Sequence, residues 1–277
     1  MKTKKPKHIL LILLLSSPFG NLGGAFLFAQ QNHSFLALPS AAKSYAAMGD
    51  TTVWAVQNNP AALAFAPSVS AGFAHKNHYS VKGLNSMQAS AAGNAKFLAI
   101  GGSYQFFGNE FYQIGAASLK LAKQIGEQFA FAIGGTVFFA HKEMEEYCKP
   151  AVAPDIAFLG RTKSKFSYAF HIVNPLPNRE SSLYNKSTYK IGGAYSGIAD
   201  LNISAMLQKT ETEPVSIHAG AEYCVFNILT AQIGFSNSYT PISFGINARI
   251  KNICLGAACE FHSYIGISNI LSISASL

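Results

Sequence analysis

Leu201-Asn202-Ile203-Ser204-Ala205-Met206-Leu207-Gln208 is the clearest strand-forming segment of this 277-residue chain. Apolar side chains occupy every second position, and polar side chains with one methionine occupy the positions between them. Successive side chains of a β-strand point to opposite faces of a sheet, so the alternation predicts one apolar and one polar face. That pattern is typical of a membrane barrel, whose strands meet lipid on one face and the lumen on the other.

The same alternation recurs along the chain and predicts about fourteen strands, most of them close to the ~9–11 residues that a tilted transmembrane strand needs. We place them at residues 67–75, 85–93, 96–106, 111–122, 128–140, 151–161, 165–173, 188–196, 200–208, 214–223, 228–236, 241–250, 252–262 and 268–277. The connections that follow even-numbered strands are short, and those that follow odd-numbered strands include longer segments. Outer-membrane barrels have the same alternation of short turns and longer loops. We therefore expect an all-β, antiparallel transmembrane barrel of about 12 to 14 strands over residues 67–277.

The register of such a barrel decides which side chains face lipid, and a slip of one residue would invert every strand. We expect these residues to face outward: Leu201, Ile203, Ala205, Leu207, Phe244, Ile246, Leu271 and Ile273. We expect these to face the lumen: Asn202, Ser204, Asn247, Arg249 and Ser274.

Composition supports a membrane location. Charged residues are only 12% of the chain, against about 25% in typical globular proteins. After residue 29 no apolar run reaches the ~20 residues of a spanning helix, and hydrocarbon otherwise accepts only closed barrels, because backbone amides must be paired internally. A soluble β-sandwich or solenoid is the alternative, but it would need polar outer faces that these strands lack.

The N-terminus has the parts of a secretory signal peptide over residues 1–29: a basic head, the apolar run 9–15, and Ala29 before Gln30. A single membrane anchor is the alternative, although Pro18 and several glycines interrupt the apolar stretch. Without Lys2, Lys4, Lys5 and Lys7 of the head, 17 basic residues face 13 acidic ones. The basic residues are scattered along the chain and form no basic stripe, so we expect no nucleic-acid partner.

Residues 30–66 do not alternate, and they carry a recognisable motif. It consists of Phe35-Leu36, Pro39, Ala47-Met48-Gly49 and then Asn59-Pro60-Ala61-Ala62-Leu63. This motif resembles the N-terminal signature of the PorV/PorQ family of outer-membrane proteins, which are related to the FadL fatty-acid transporters. The resemblance covers residues 35–63 specifically and the rest of the chain loosely.

The resemblance implies a fourteen-stranded barrel that works as an accessory or interaction component of type IX secretion or surface protein assembly. Its implied partners are membrane lipid and other outer-membrane or secretion-system proteins. The alternative is a FadL-like passive transporter of small hydrophobic solutes, and a purely structural barrel also stays open. A continuous apolar pocket beside residues 35–63 would favour transport, whereas a closed lumen with an exposed apolar outer patch would favour a partner role.

The residues themselves predict that segment 30–66 is a plug, or hatch, inside the barrel. Ser40 to Met48 is rich in alanine and predicts a short helix, with Ser40 as its cap and Gly49 as its stop. Asn59-Pro60 predicts a turn. Because the apolar side chains of this segment need cover from water, we expect them in the lumen; a periplasmic tail without a gating role is the alternative.

Three inward-facing charged residues are candidate site residues: Glu222, Arg249 and Glu260. They could act as selectivity groups of a polar conduit. The interpretation we favour is that they pair with each other or with the plug, because buried charges without partners are costly.

The sequence shows no catalytic constellation, so we expect no enzymatic activity, no cofactor and no metal. His141, Glu143, Glu145 and Glu146 could bind a cation, but an ordinary solvated loop explains them better. The four cysteines predict neither a disulfide framework nor a zinc site, and Cys254 and Cys259 should face opposite sides of one strand.

Overall fold

The computed structural model describes residues 36–95, 97–108, 112–142, 150–177, 186–211, 213–238, 240–263 and 265–277. The predicted signal peptide and Phe35 lie outside these residues, as does most of the candidate cation loop. The strands are β1 (Val69–Asn77), β2 (Asn85–Asn94), β3 (Ala99–Gly108), β4 (Tyr112–Ile125), β5 (Phe129–Lys142), β6 (Ala151–Arg161), β7 (Phe166–Val173), β8 (Thr188–Ile198), β9 (Leu201–Thr210), β10 (Ser216–Phe226), β11 (Leu229–Ser236), β12 (Ile242–Ile250), β13 (Ile253–His262) and β14 (Gly266–Ser276).

The fourteen strands form one closed antiparallel barrel. Each strand pairs with its neighbours in the sequence, and β1 closes the sheet against β14 with Phe73 opposite Ile273. Closure leaves no strand edge unpaired, which is what a sheet in hydrocarbon requires. The fold and the number of strands predicted from the sequence are confirmed.

The two ends of the barrel differ in their connections. At one end the hairpins are tight, and the turns at 199–200, 227–228 and 251–252 contain two residues each. Asp200 and Lys251 adopt left-handed conformations in two of these turns, with φ angles of 60° and 52°. The opposite end carries the longer connections after β5 and β7. Short turns mark the periplasmic end of barrels of this class, so the longer loops lie on the outer side.

Burial alternates along the strands, as expected for a wall with two different faces. Ile203, Leu207, Phe244, Ile246, Leu271 and Ile273 are exposed on the outer face, in agreement with the predicted register. Ser204 and Ser243 are buried on the inner face. Arg249 lies on this inner face too, where it approaches Glu222 of β10 and the Cys254 side chain of β13.

Three short helices precede the barrel: η1 (Leu38–Lys43) and η2 (Pro60–Phe65), both 3₁₀, and the α-helix α1 (Ala55–Asn58). The helix predicted over Ser40 to Met48 is wrong in both bounds. Helix η1 ends because Ser44 and Tyr45 take left-handed φ angles of 46° and 64°. Ser40 does not cap it; its hydroxyl instead accepts a hydrogen bond from Asn58 Nδ2 at 2.7 Å.

No helix within the described ranges is long and apolar enough to cross a membrane.

Candidate functional site: the plug and the lumen wall

Residues 36–66, here called the plug, lie inside the barrel. Helix η1 packs against β10 to β14 and β1, while η2 packs against β2 to β6 on the opposite wall. A segment that contacts both sides of a closed sheet occupies its lumen. Its apolar side chains form the centre of the hydrophobic core, and Leu38, Val53 and Leu63 are almost completely buried.

The wall carries glycine where the plug approaches it most closely. A Cβ atom at Gly101 of β3 would lie 2.7 Å from Leu63 Cδ1 and 2.8 Å from Val56 Cγ2. At Gly72 of β1 it would lie 2.8 Å from the Trp54 ring. The same crowding occurs on the other wall at Gly220, Gly234 and Gly245, which face η1 and Ser44. These glycines allow the plug to pack directly on the wall backbone.

Asn59 connects the two halves of the plug to the wall. It is fully buried, and its side-chain oxygen accepts a hydrogen bond from the Ala61 amide at 3.2 Å. Its side-chain nitrogen lies 3.0 Å from the carbonyl oxygen of Met48 and 3.3 Å from that of Phe158 on β6. The predicted turn at Asn59-Pro60 is instead the beginning of η2, with Asn59 as its cap and Pro60 in its first turn.

The other motif residues also contact the wall or the plug core. The Leu36 carbonyl accepts a hydrogen bond from Gln105 of β3 at 3.0 Å. Met48 packs against Gly192 of β8, and Gly49 lies beside Ala194 of the same strand. Two further motif residues, Ala61 and Leu63, are fully buried within η2, and Pro39 lies in the first turn of η1.

One ion-pair cluster joins the plug to the wall. The Lys43 ammonium lies 2.6 Å from Asp50 of the plug and 3.6 Å from Glu222 of β10. Gln232 of β11 donates a hydrogen bond to the same Glu222 carboxylate at 2.5 Å. Burial by itself lowers the pKa of Lys43, but the charges of Asp50 and Glu222 outweigh burial and raise that pKa above its ordinary value. Lys43 therefore stays charged inside the lumen.

A second cluster lies within the wall. Glu260 of β13 forms a buried ion pair with Lys76 of β1, and the Lys76 ammonium also donates to the Tyr45 hydroxyl of the plug at 3.4 Å. Glu222 and Glu260 are thus paired, Glu222 with the plug and Glu260 with β1, which lies across β14 from β13. Arg249 is exposed at the periplasmic end of the inner face.

Sequence reasoning missed several charged groups of the lumen. Lys43, Lys76, Lys120 and Asp155 are all buried on the inside and were not among the predicted site residues. The signal for Lys120 and Asp155 was their position on the lumen-facing side of alternating strands, although the neighbours of Asp155 on that face of β6 are alanine residues. The signal for Lys43 was weaker, because a lysine in a helical segment usually lies in solvent.

Within the described ranges, no group of three His, Cys, Asp or Glu side chains is placed to hold a metal ion. Cys254 faces the lumen beside Arg249. Cys259 lies an odd number of residues further along β13, opposite Phe244, and therefore faces the outer side. Cys148 and the candidate cation residues Glu143, Glu145 and Glu146 lie outside the described residues, and so does the His141 side chain.

No protein-family model matches the chain, and no curated protein matches it. Among solved structures it is similar to a deletion mutant of the TodX monoaromatic hydrocarbon channel, with a TM-score of 0.65, 10% identity, and coverage of 89% of this chain and 100% of that one. The Pseudomonas putida toluene transporter TodX gives 0.61 and 10%, covering 80% and 93%. A Pseudomonas aeruginosa FadL homologue gives 0.60 and 9%, covering 87% and 97%.

At such low identity these similarities show the fold alone. They agree with the FadL-like part of the resemblance seen in the sequence, whereas the finer likeness of residues 35–63 to the PorV/PorQ family stays a prediction. The closed barrel, its apolar outer face and these similarities together make this protein a multi-pass β-barrel of the bacterial outer membrane, with the fold of TodX- and FadL-type barrels.

Proposed function

We propose that the protein is a plugged channel that lets small apolar solutes cross the outer membrane when the plug moves. The observation that carries this proposal is the apolar lining of one part of the lumen. On the periplasmic half of β3 to β6, the buried inner positions beside η2 are almost all alanine or leucine: Ala99, Ala122, Ala130, Ala132, Ala157 and Leu159. A water-filled barrel normally carries polar side chains there.

The shape of the plug supports the same function. Helix η2 meets the apolar lining through Ala61 and Leu63, whereas η1 is attached to the opposite wall by the ion pair of Lys43 and Glu222. Displacement of the plug from Gly49 to Ala66, a segment that includes η2, would therefore expose a passage lined by small apolar side chains while η1 keeps its ion pair with Glu222. The names of the similar structures, a hydrocarbon channel and a toluene transporter, are consistent with a solute of that class.

A reversible covalent link between plug and wall tests this proposal. A Cβ atom at Gly49 would lie 3.5 Å from Ala194 Cβ, within the ~3.5–4.5 Å that a disulfide spans. In cells that carry the Gly49→Cys, Ala194→Cys double variant, we expect oxidation to abolish most of the protein-dependent uptake of radiolabelled toluene and a reductant to restore it. The two single-cysteine variants, treated in the same way, should keep normal uptake.

Two results would count against the proposal. If cells without the protein take up toluene as fast as complemented cells, the channel function is wrong. If uptake depends on the protein but the oxidised double variant is unaffected, movement of the plug near Gly49 is not required, and the gating part of the proposal is wrong.

A second candidate is an accessory role in type IX secretion or surface protein assembly. The support for it is the sequence motif of residues 35–63, together with a lumen that the plug fills. Quantitative mass spectrometry of surface proteins in cells with and without the chain tests this role. A loss of surface proteins at unchanged toluene uptake would favour the accessory role, and the reverse result would favour the channel.

A further inference from the structure

A third group of buried polar residues lies in the lumen and takes no part in holding the plug. Its members are Lys120 of β4, Asp155 of β6, His171 of β7 and Lys190 of β8, and none is more than 4% exposed. Lys190 lies on the inner face of β8, two residues nearer the outer end than Gly192, which contacts Met48. The group therefore lies on the outer side of this part of the plug.

The contacts within the group leave Lys190 without a partner. Lys120 forms an ion pair with Asp155 and also donates to Thr136 at 3.2 Å. His171 lies opposite Lys190 in the pairing of β7 and β8, and its Nε2 atom is 3.7 Å from Asp155 Oδ2. Among the described residues, no hydrogen bond or ion pair is made by the Lys190 ammonium.

The charges of this group do not balance. Lys120 and Lys190 are both basic, while Asp155 is the one carboxylate that acts on either of them among the described side chains. The nearest plug cluster offers no spare acid, because its two carboxylates, Asp50 and Glu222, are balanced by Lys43 together with Arg249, which also acts on Glu222. A buried positive charge without a counter-charge is costly, so the site requires a negative charge from elsewhere.

Unpaired polar atoms surround the same place. Both ring nitrogens of His171, Nδ1 of His218, Oδ1 of Asp155 and Oε1 of Gln208 are buried, and the structure gives them no hydrogen-bond partner within its described part. His218 of β10 also interacts electrostatically with Lys190. Buried polar atoms normally have partners, and several orphans on adjacent inner positions indicate a bound polar species.

We propose that this group is a binding site for a small monovalent inorganic anion of the chloride class. The group has one more basic residue than acidic residues, so the ligand should carry a single negative charge. All four side chains are almost completely buried, so the ligand must be small. The ammonium of Lys190 and a ring N–H of His171 or His218 would donate to the anion, and a water molecule would serve the acceptors Asp155 and Gln208. This inference does not rest on the proposed channel function.

Thermal unfolding of the purified protein in detergent tests the site. We compare sodium chloride and sodium bromide with sodium gluconate at equal ionic strength and neutral pH, because gluconate is too large to enter a buried site. We expect the wild type to unfold several degrees higher in both halides than in gluconate, by linkage of binding to stability. Lys190→Met should remove this difference, and Lys209→Met, which removes an exposed lysine of β9, should keep it.

Equal melting temperatures of the wild type in halide and gluconate would overturn the proposal, as would a halide effect that survives in Lys190→Met. If Lys190→Met does not fold, crystals of the wild type soaked in bromide decide the question. An anomalous peak between Lys190 and His171 supports the site, and the absence of a peak there overturns it.

Discussion

The Lys43 ammonium of the plug lies 3.6 Å from the Glu222 carboxylate of β10, and this ion pair attaches η1 to the lumen wall. The backbone around Lys43 packs at the same place, since a Cβ atom at Gly220 would lie 2.9 Å from the Lys43 carbonyl oxygen. One strand thus provides both a charge and a glycine for one plug residue. The close approach at Gly220 and the ion pair with Glu222 together hold η1 against β10.

Glu222→Gln should loosen the plug. Glutamine keeps the size of the side chain but leaves Lys43 with Asp50 as its single carboxylate, so we expect a loss of about 1–3 kcal/mol of unfolding free energy. The loss should appear as a lower temperature at which the barrel loses its compact gel mobility, together with greater sensitivity of cells to large antibiotics. Glu127→Gln, in an exposed turn, is the control and should match the wild type; equal behaviour of both variants would contradict the anchor role.

Gly101 and Gly102 are adjacent on β3 but face opposite sides of the wall. We expect Gly101→Ala to cost about 1–3 kcal/mol, because the added methyl group must displace Leu63 or Val56. Gly102→Ala should be close to neutral, since its Cβ would meet only a backbone oxygen at 3.6 Å. Urea unfolding of the two variants measures the difference, and equal effects would show that the plug does not pack on this strand.

Ile246 and Asn247 are adjacent on β12, with Ile246 exposed to lipid and Asn247 on the inner face. Arginine on the lipid face near the middle of a barrel costs about 2–4 kcal/mol. Ile246→Arg should therefore reduce the amount of assembled barrel in the outer membrane, whereas Asn247→Arg should be tolerated better. Outer-membrane abundance and folding titrations into lipid vesicles measure both. A greater loss for Asn247→Arg would mean that the register of β12 is inverted.

The plug motif could be predicted only in part. Its apolar side chains indicated a need for cover, and Asn59 and Pro60 stood out as residues that interrupt a regular element. The sequence did not indicate that Asn59 reaches both Met48 and Phe158, since Phe158 is 99 residues away along the chain. The helix predicted around Ser40 failed for a related reason. Ser44 interrupts the helix in a left-handed conformation, and its amide donates to Ser243 at 3.2 Å as well as to the nearby Ala41 carbonyl at 2.9 Å. The contact with Ser243 spans 199 residues.

What the sequence by itself determined is the barrel: the number of strands, the alternation of lipid-facing and lumen-facing residues, and the short turns at one end. These features depend on a period of two residues and on local turn chemistry, both of which are properties of neighbouring positions. What only the tertiary structure decided is which inner side chains meet each other and the plug. Lys43 with Glu222, Lys76 with Glu260 and Lys120 with Asp155 become neighbours only because closure of the sheet sets the register between distant strands, and no local pattern encodes that register.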